Sequence, residues 1–146
     1  MTVRTITDFR EHNKQIVRRP YLIPKISTTL QELEGFAYAR ALGLNTGYYT
    51  IRLDPRVVKM FTIIFPWGKY SYLRLPVGNA CSADIFQVEM MELMKALKCV
   101  RAYIDDLLVI TKGTLEDHLD NLRKVIRRLR KGGLKVNAAK SFFLYT

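Results

Sequence analysis

The stretch Cys99–Lys112, CVRAYIDDLLVITK, decides how this chain is read. Two adjacent carboxylates, Asp105 and Asp106, stand between the runs VRAYI and LLVIT. Asp is depleted in strands and is costly to bury unpaired, so an ordinary strand does not carry Asp-Asp at its centre. Two strands meeting at a turn remove the conflict. The pattern predicts a β-hairpin whose tip presents negative charge to a divalent metal ion.

The surroundings of that hairpin are those of a globular domain. The chain has 146 residues, 49% hydrophobic and 25% charged, which fits one compact domain and argues against wholesale disorder. No apolar run reaches the ~18 residues of a membrane span, and the N-terminal MTVRTITDFREHNKQIVRR lacks the apolar core of a secretory signal. Cys81 and Cys99 have no metal-ligand spacing and read as reduced thiols of an intracellular protein. A formal charge of +11 favours a polyanionic partner, nucleic acid before an anionic membrane.

Periodicity supplies the other elements. VRTITDF and FAYARALGL alternate like strands, and GYYTIRLDP reads as a further strand segment. RRPYLIPKI, with two prolines, reads as an extended connection, and STTLQELEGF as a short helix with Thr29 and Glu32 at capping-box spacing. KMFTIIF, the turn PWGK and YSYLRLP predict a second hairpin. Ile85, Phe86, Met90, Leu93, Met94 and Leu97 fall at helical spacing, with Ser82 as the expected N-cap. A longer helix is predicted from the stripe Leu115, Leu119, Leu122, Ile126 and Leu129, boxed by Thr114 and Asp117 and ended by Gly132-Gly133. LKVN and SFFLYT predict a final hairpin or strand pair. The expected class is α+β, an antiparallel sheet covered on one face by helices.

The blocks VRTITDFREHNK, PYLIPKI, ALGLNTGYYTIRL, FPWGKYSYLRLPVGNACSADIFQ, RAYIDDLLVITKGTLEDHLDNLRKVI and GLKVNAAKSFF stand in this order along the chain. Together they resemble reverse transcriptases, most closely those of gypsy-type LTR retrotransposons. The resemblance covers residues 1–146 and implies a polymerase palm with part of the fingers, without a thumb or an RNase H region. It implies RNA-directed DNA synthesis by two-metal nucleotidyl transfer to a primer 3′-hydroxyl, with two Mg²⁺ ions that Mn²⁺ can replace. The implied partners are an RNA or DNA template-primer and deoxynucleoside triphosphates, with no membrane; oligomeric state stays open.

By the same resemblance Asp105 and Asp106 are the catalytic metal ligands, joined by the backbone carbonyl of Leu44. Arg4 grips the triphosphate, in the block completed by Asp8, Phe9 and Arg10. Tyr48 lies beneath the incoming sugar and leaves no room for a 2′-hydroxyl. Val77, Gly78 and Gln87 support the nucleotide and templating base, although Asn79-Ala80-Cys81 and Ala83 depart from the family pattern there. Lys140 matches a lysine that protonates the leaving pyrophosphate.

One departure is decisive. Where the family pattern has its first catalytic Asp, this chain has Gly43. Asn45, on the same strand face, is neutral; Asp54 is eleven residues on, roughly 35 Å in extended chain. Weak or absent synthesis is therefore expected. The competing reading is a basic, non-catalytic module that binds nucleic acid or a partner. The cluster Arg123, Lys124, Arg127, Arg128, Arg130 and Lys131 suits phosphate contact or simple solvation. His12 and His118, without partner spacing, are expected at the surface.

Overall fold

A computed structural model describes residues 6–21 and 35–145. Arg4 and the STTLQELEGF segment up to Glu34 lie outside the described residues. A short helix α1 (Arg10–Gln15) leads into strand β1 (Tyr38–Asn45), a 3₁₀ turn (Gly47–Thr50) and the single-turn helix α2 (Pro55–Val58). Hairpin β2 (Thr62–Phe65) and β3 (Gly68–Ser71), helix α3 (Ser82–Met94), and hairpin β4 (Val100–Tyr103) and β5 (Asp106–Thr111) follow. Helix α4 (Leu115–Lys131) and strand β6 (Lys135–Tyr145) complete the order.

Four strands form one antiparallel sheet in the order β4-β5-β1-β6, while β2 and β3 pair apart from it. The expected α+β class is what forms. Leu107 and Val109 alternate inward along β5 with Leu42 and Leu44 on β1, and all four are buried against α3 and α4. Phe86, Met90 and Met94 of α3 and Leu122, Val125 and Leu129 of α4 close the core. Each such side chain contributes roughly 1.5–3 kcal/mol on burial. Among the described residues no helix is long and apolar enough to cross a membrane.

Several expectations are corrected. Ile6–Phe9 is not a strand: Phe9 is buried and rings with His12, Phe61 and Tyr72 at centroid distances of 5.8, 6.0 and 5.9 Å. His12 is thus half-buried in an aromatic cluster, and Thr7 Oγ1 shares a 2.8 Å hydrogen bond with Tyr72 Oη. GYYTIRLDP is not a strand either, because the chain turns at Thr46 (φ 51°) into the 3₁₀ segment. The end of the chain is one bulged strand rather than a hairpin, its register against β1 shifting between Ala41 and Gly43. Ser82 is the first residue of α3, not its cap, and its hydroxyl donates to the Pro76 carbonyl at 2.7 Å. On α4 the capping box of Thr114 and Asp117 forms as expected, but the inward stripe is His118, Leu122, Val125 and Leu129, with Leu115 and Ile126 exposed.

Two contacts anchor α3. The ring of Phe86 occupies the space beside Gly47, where a Cβ would stand 2.5 Å from its Cζ atom. Asp84, 3% exposed, accepts from Arg18 Nε and Nη2 at 2.8 and 3.2 Å and from the Tyr21 amide at 3.1 Å, strapping the extended segment after α1 to the helix. Gly47→Ala is expected to displace the ring and cost about 1–3 kcal/mol by overpacking, read as a lower urea midpoint. The Arg18 guanidinium holds the Asp84 carboxyl below the usual carboxylate range. Its contribution is therefore full at neutral pH and is lost as the pH falls below about 4. The gap in urea midpoint between wild type and Asp84→Asn should accordingly narrow between pH 6 and pH 3.

Candidate active site at the acidic hairpin

Tyr103 pairs with Asp106, so β4 and β5 are joined by the two-residue turn Ile104-Asp105. Ile104 has φ 51°, a left-handed conformation that a β-branched residue adopts only at a cost of order 1–3 kcal/mol. Neighbours hold it there. Gln87 on α3 is fully buried, and its Oε1 accepts from the Ile104 amide at 2.7 Å while its Nε2 donates to the Ala102 carbonyl at 2.8 Å. From the other side, the Leu44 amide donates to the Asp105 carbonyl at 2.8 Å. Backbone and side chain together fix the turn on both flanks, with Asp105 half-buried within it and Asp106 exposed as the first residue of β5.

The resemblance places Gln87 among the residues that support the nucleotide and templating base. Both ends of its amide clamp the hairpin backbone. A fully buried glutamine must find hydrogen-bond partners, and the fold shows which ones it finds.

Gly43 lies opposite Asp106 on β1. It is buried, and its amide donates to Ser141 Oγ at 3.2 Å while that hydroxyl donates to the Asn137 carbonyl at 2.7 Å. The β6 bulge is folded directly over it. A Cβ at position 43 would stand 2.7 Å from Lys140 Cβ and 3.1 Å from the Lys140 carbonyl oxygen. The close approach of β6 occupies the room that a side chain would need.

Asp54 offers no replacement, since it caps α2 and pairs with Arg56 at 2.6 Å. Among the described residues no cluster of three or more acidic, His or Cys side chains is placed to hold a metal. Asp105 and Asp106 are adjacent carboxylates, of the kind that hard divalent cations take as ligands. Among the described residues no third carboxylate joins them.

Tyr48 stacks on Phe86 with centroids 5.0 Å apart and planes 26° from parallel. Burial, and then the nearby Asp105 charge, push its phenol up to about 12, so the hydroxyl stays neutral at physiological pH. Val77 is exposed, and Gly78 adopts φ 94°, a conformation that favours glycine. Asn13 pins that loop: its Nδ2 donates to the Gly78 carbonyl at 3.0 Å, and its Oδ1 accepts from the Ala80 amide at 2.9 Å. Nothing in the sequence pattern singled out Asn13. Lys140 is exposed on β6, its stem over Gly43. His118, expected at the surface, is fully buried, with Nδ1 2.8 Å from Thr111 Oγ1 and its ring 5.7 Å from that of Tyr38. Burial, with Arg40 nearby, lowers its pKa.

A four-stranded antiparallel sheet backed by two helices, with an acidic hairpin at one edge, is the arrangement of a polymerase palm. The comparisons specify which. The family model "Reverse transcriptase (RNA-dependent DNA polymerase)" matches residues 1–146, and the chain belongs to that family. The retrovirus-related Pol polyprotein of the Drosophila melanogaster transposon opus is 33% identical over 98% of this chain and 14% of that polyprotein. The enzymatic polyprotein of soybean chlorotic mottle virus is 28% identical over 94% of this chain and 20% of its own length. The chain therefore spans a fifth or less of these relatives. A crystal structure of prototype foamy virus protease-reverse transcriptase superposes with a TM-score of 0.84 at 26% identity, over 94% of this chain and 18% of that one. The foamy viral enzyme in complex with an RNA/DNA hybrid shares the fold at TM-score 0.79 and 23% identity, over 92% and 18% of the two chains.

Gln87→Leu tests the clamp. It leaves the Ala102 carbonyl and the Ile104 amide without their partner in the core, at roughly 2–4 kcal/mol. The urea midpoint should fall, and hydrogen exchange at the Ile104 amide should accelerate relative to wild type.

Proposed function

We propose that residues 1–146 are the palm and part of the fingers of a gypsy-type LTR retrotransposon polymerase, an RNA-directed DNA polymerase whose nucleotidyl-transfer centre is impaired. The observation that carries this reading is the acidic hairpin, held in register beside a strand whose facing residue, Gly43, has no side chain. Asp105 and Asp106, with the Leu44 carbonyl, would hold a single divalent ion, Mg²⁺ or Mn²⁺. That ion would supply positive charge to a phosphoryl group.

The chain's own groups set the rest of the reading. Tyr48, kept neutral and braced by Phe86, would place a flat ring under the sugar and exclude a 2′-hydroxyl, which selects deoxynucleoside triphosphates. Val77 and Gly78, on a loop pinned by Asn13, would bring backbone close to the nucleotide. Arg4 would pair with the triphosphate, and Lys140 would give a proton to the departing pyrophosphate. The template-primer partner rests on family membership and on the charge of +11. An intracellular location fits free thiols at Cys81 and Cys99.

The second reading, a non-catalytic nucleic-acid-binding module, is favoured by Gly43 itself. Primer extension on an RNA template with Mg²⁺ or Mn²⁺ separates the two. Wild type should extend at least roughly 100-fold less than Gly43→Asp, since loss of a direct metal ligand exceeds the ~10–100-fold seen when a ligand's supporting contact is lost. Gly43→Asp should also be destabilised by about 1–3 kcal/mol, because the β6 bulge must move aside. Extension by neither form, with primer-template still bound, supports the non-catalytic reading. Robust wild-type extension overturns the impairment.

A further inference from the structure

We propose that the β2–β3 hairpin is a stacking platform for single-stranded nucleic acid, with Trp67 as the ring that receives a base. Pro66-Trp67 forms the two-residue tip, because Phe65 pairs with Gly68. Trp67 is 73% exposed, an unusual position for the chain's single tryptophan. Its indole lies parallel to Phe65, with centroids 5.1 Å apart and planes 2° from parallel. Tyr70, 51% exposed, meets Phe65 edge-on at 5.8 Å. The result is a short ring stack whose outer member faces solvent. A nucleobase extends such a stack by one more layer, whatever its identity, since every base has a π-face.

The charges around the hairpin choose the partner. From Thr46 to Pro76 the only acidic residue is Asp54, and it is paired with Arg56. Arg52, Lys59, Lys69 and Arg74 are exposed. Arg52 and Arg74 are direct partners on an antiparallel bridge, and the Arg74 guanidinium is held in place by the Thr50 carbonyl at 3.1 Å. Like charges opposite each other on paired strands are destabilising unless an anion lies between or beside them. Exposed rings on a segment richer in cations than in carboxylates match a strand of alternating bases and phosphates better than an apolar or mixed-charge protein surface. This surface does not use the acidic hairpin, so the inference stands whether or not the chain synthesises DNA.

The single tryptophan makes the test direct. The full chain, in EDTA and low salt, is titrated with a 12-nucleotide oligothymidylate and with an abasic strand of the same length. Stacking predicts quenching of Trp67 emission by the oligothymidylate and binding of the abasic strand at least about tenfold weaker, without quenching. Trp67→Leu should weaken oligothymidylate binding roughly 5- to 150-fold in an anisotropy assay, with an unchanged thermal midpoint, while Trp67→Phe retains most of it. Equal affinity for the abasic strand, or no effect of Trp67→Leu, overturns the platform and leaves only charge attraction. A concentration-dependent blue shift of Trp67 emission without nucleic acid, or a response to phosphatidylserine vesicles but not to oligothymidylate, overturns it in favour of self-association or a membrane surface.

Discussion

A single buried amide carries the geometry of the acidic hairpin. Gln87 sits in the core beside Phe86, and its two ends satisfy one acceptor and one donor on either side of the β4–β5 corner. A buried peptide group without a partner costs of order 1–3 kcal/mol, comparable with the strain stored in Ile104. The same side chain therefore compensates the strain and removes the penalty. Because α3 is itself fixed by Phe86 against Gly47, by Ser82 against Pro76 and by Asp84 against Arg18, the carboxylates inherit their position from a helix rather than from the turn that bears them.

Position 43 shows a different constraint. In a flat antiparallel pair, facing residues leave room for side chains on each face. Here β6 bulges at Asn137–Ser141 and leans onto β1, so that backbone and a lysine stem fill the volume above Gly43. Position 43 therefore has no side chain, and the sheet has closed over the space one would need. Asp105 and Asp106 stand as a pair beside a strand position that carries no side chain.

Much of this was legible in the residues alone. Asp-Asp between β-rich runs forced a hairpin, the Thr114-to-Asp117 spacing marked a helix start, and Pro-Trp-Gly separated two strands; all three signals act within a few residues. What was not legible depended on distant partners. GYYTIRLDP has the composition of a strand, yet Gly47 must give way to a ring thirty-nine residues further on, and the backbone turns instead. LKVN and SFFLYT read as two strands but form one with a bulge between them, because β1 offers one continuous edge. The inward face of α4 is rotated by one residue, admitting Val125 and His118, since Thr111 on β5 supplies a partner for the imidazole. Asp105 and Asp106 were found by pattern, whereas the work of Gln87 and Asn13 emerged only from the contacts.

Chemistry and architecture in this sheet answer to different residues. Selection on folding alone would preserve Gly47, Asp84 and Gln87, for each is tied to the core, and would favour Gly43, since any larger residue crowds β6. Asp106, exposed at the start of β5, would have no such protection. Substitution at the second carboxylate should therefore leave the sheet standing, whereas substitution of the glutamine behind it should not, so the charge of the hairpin and its shape can vary independently.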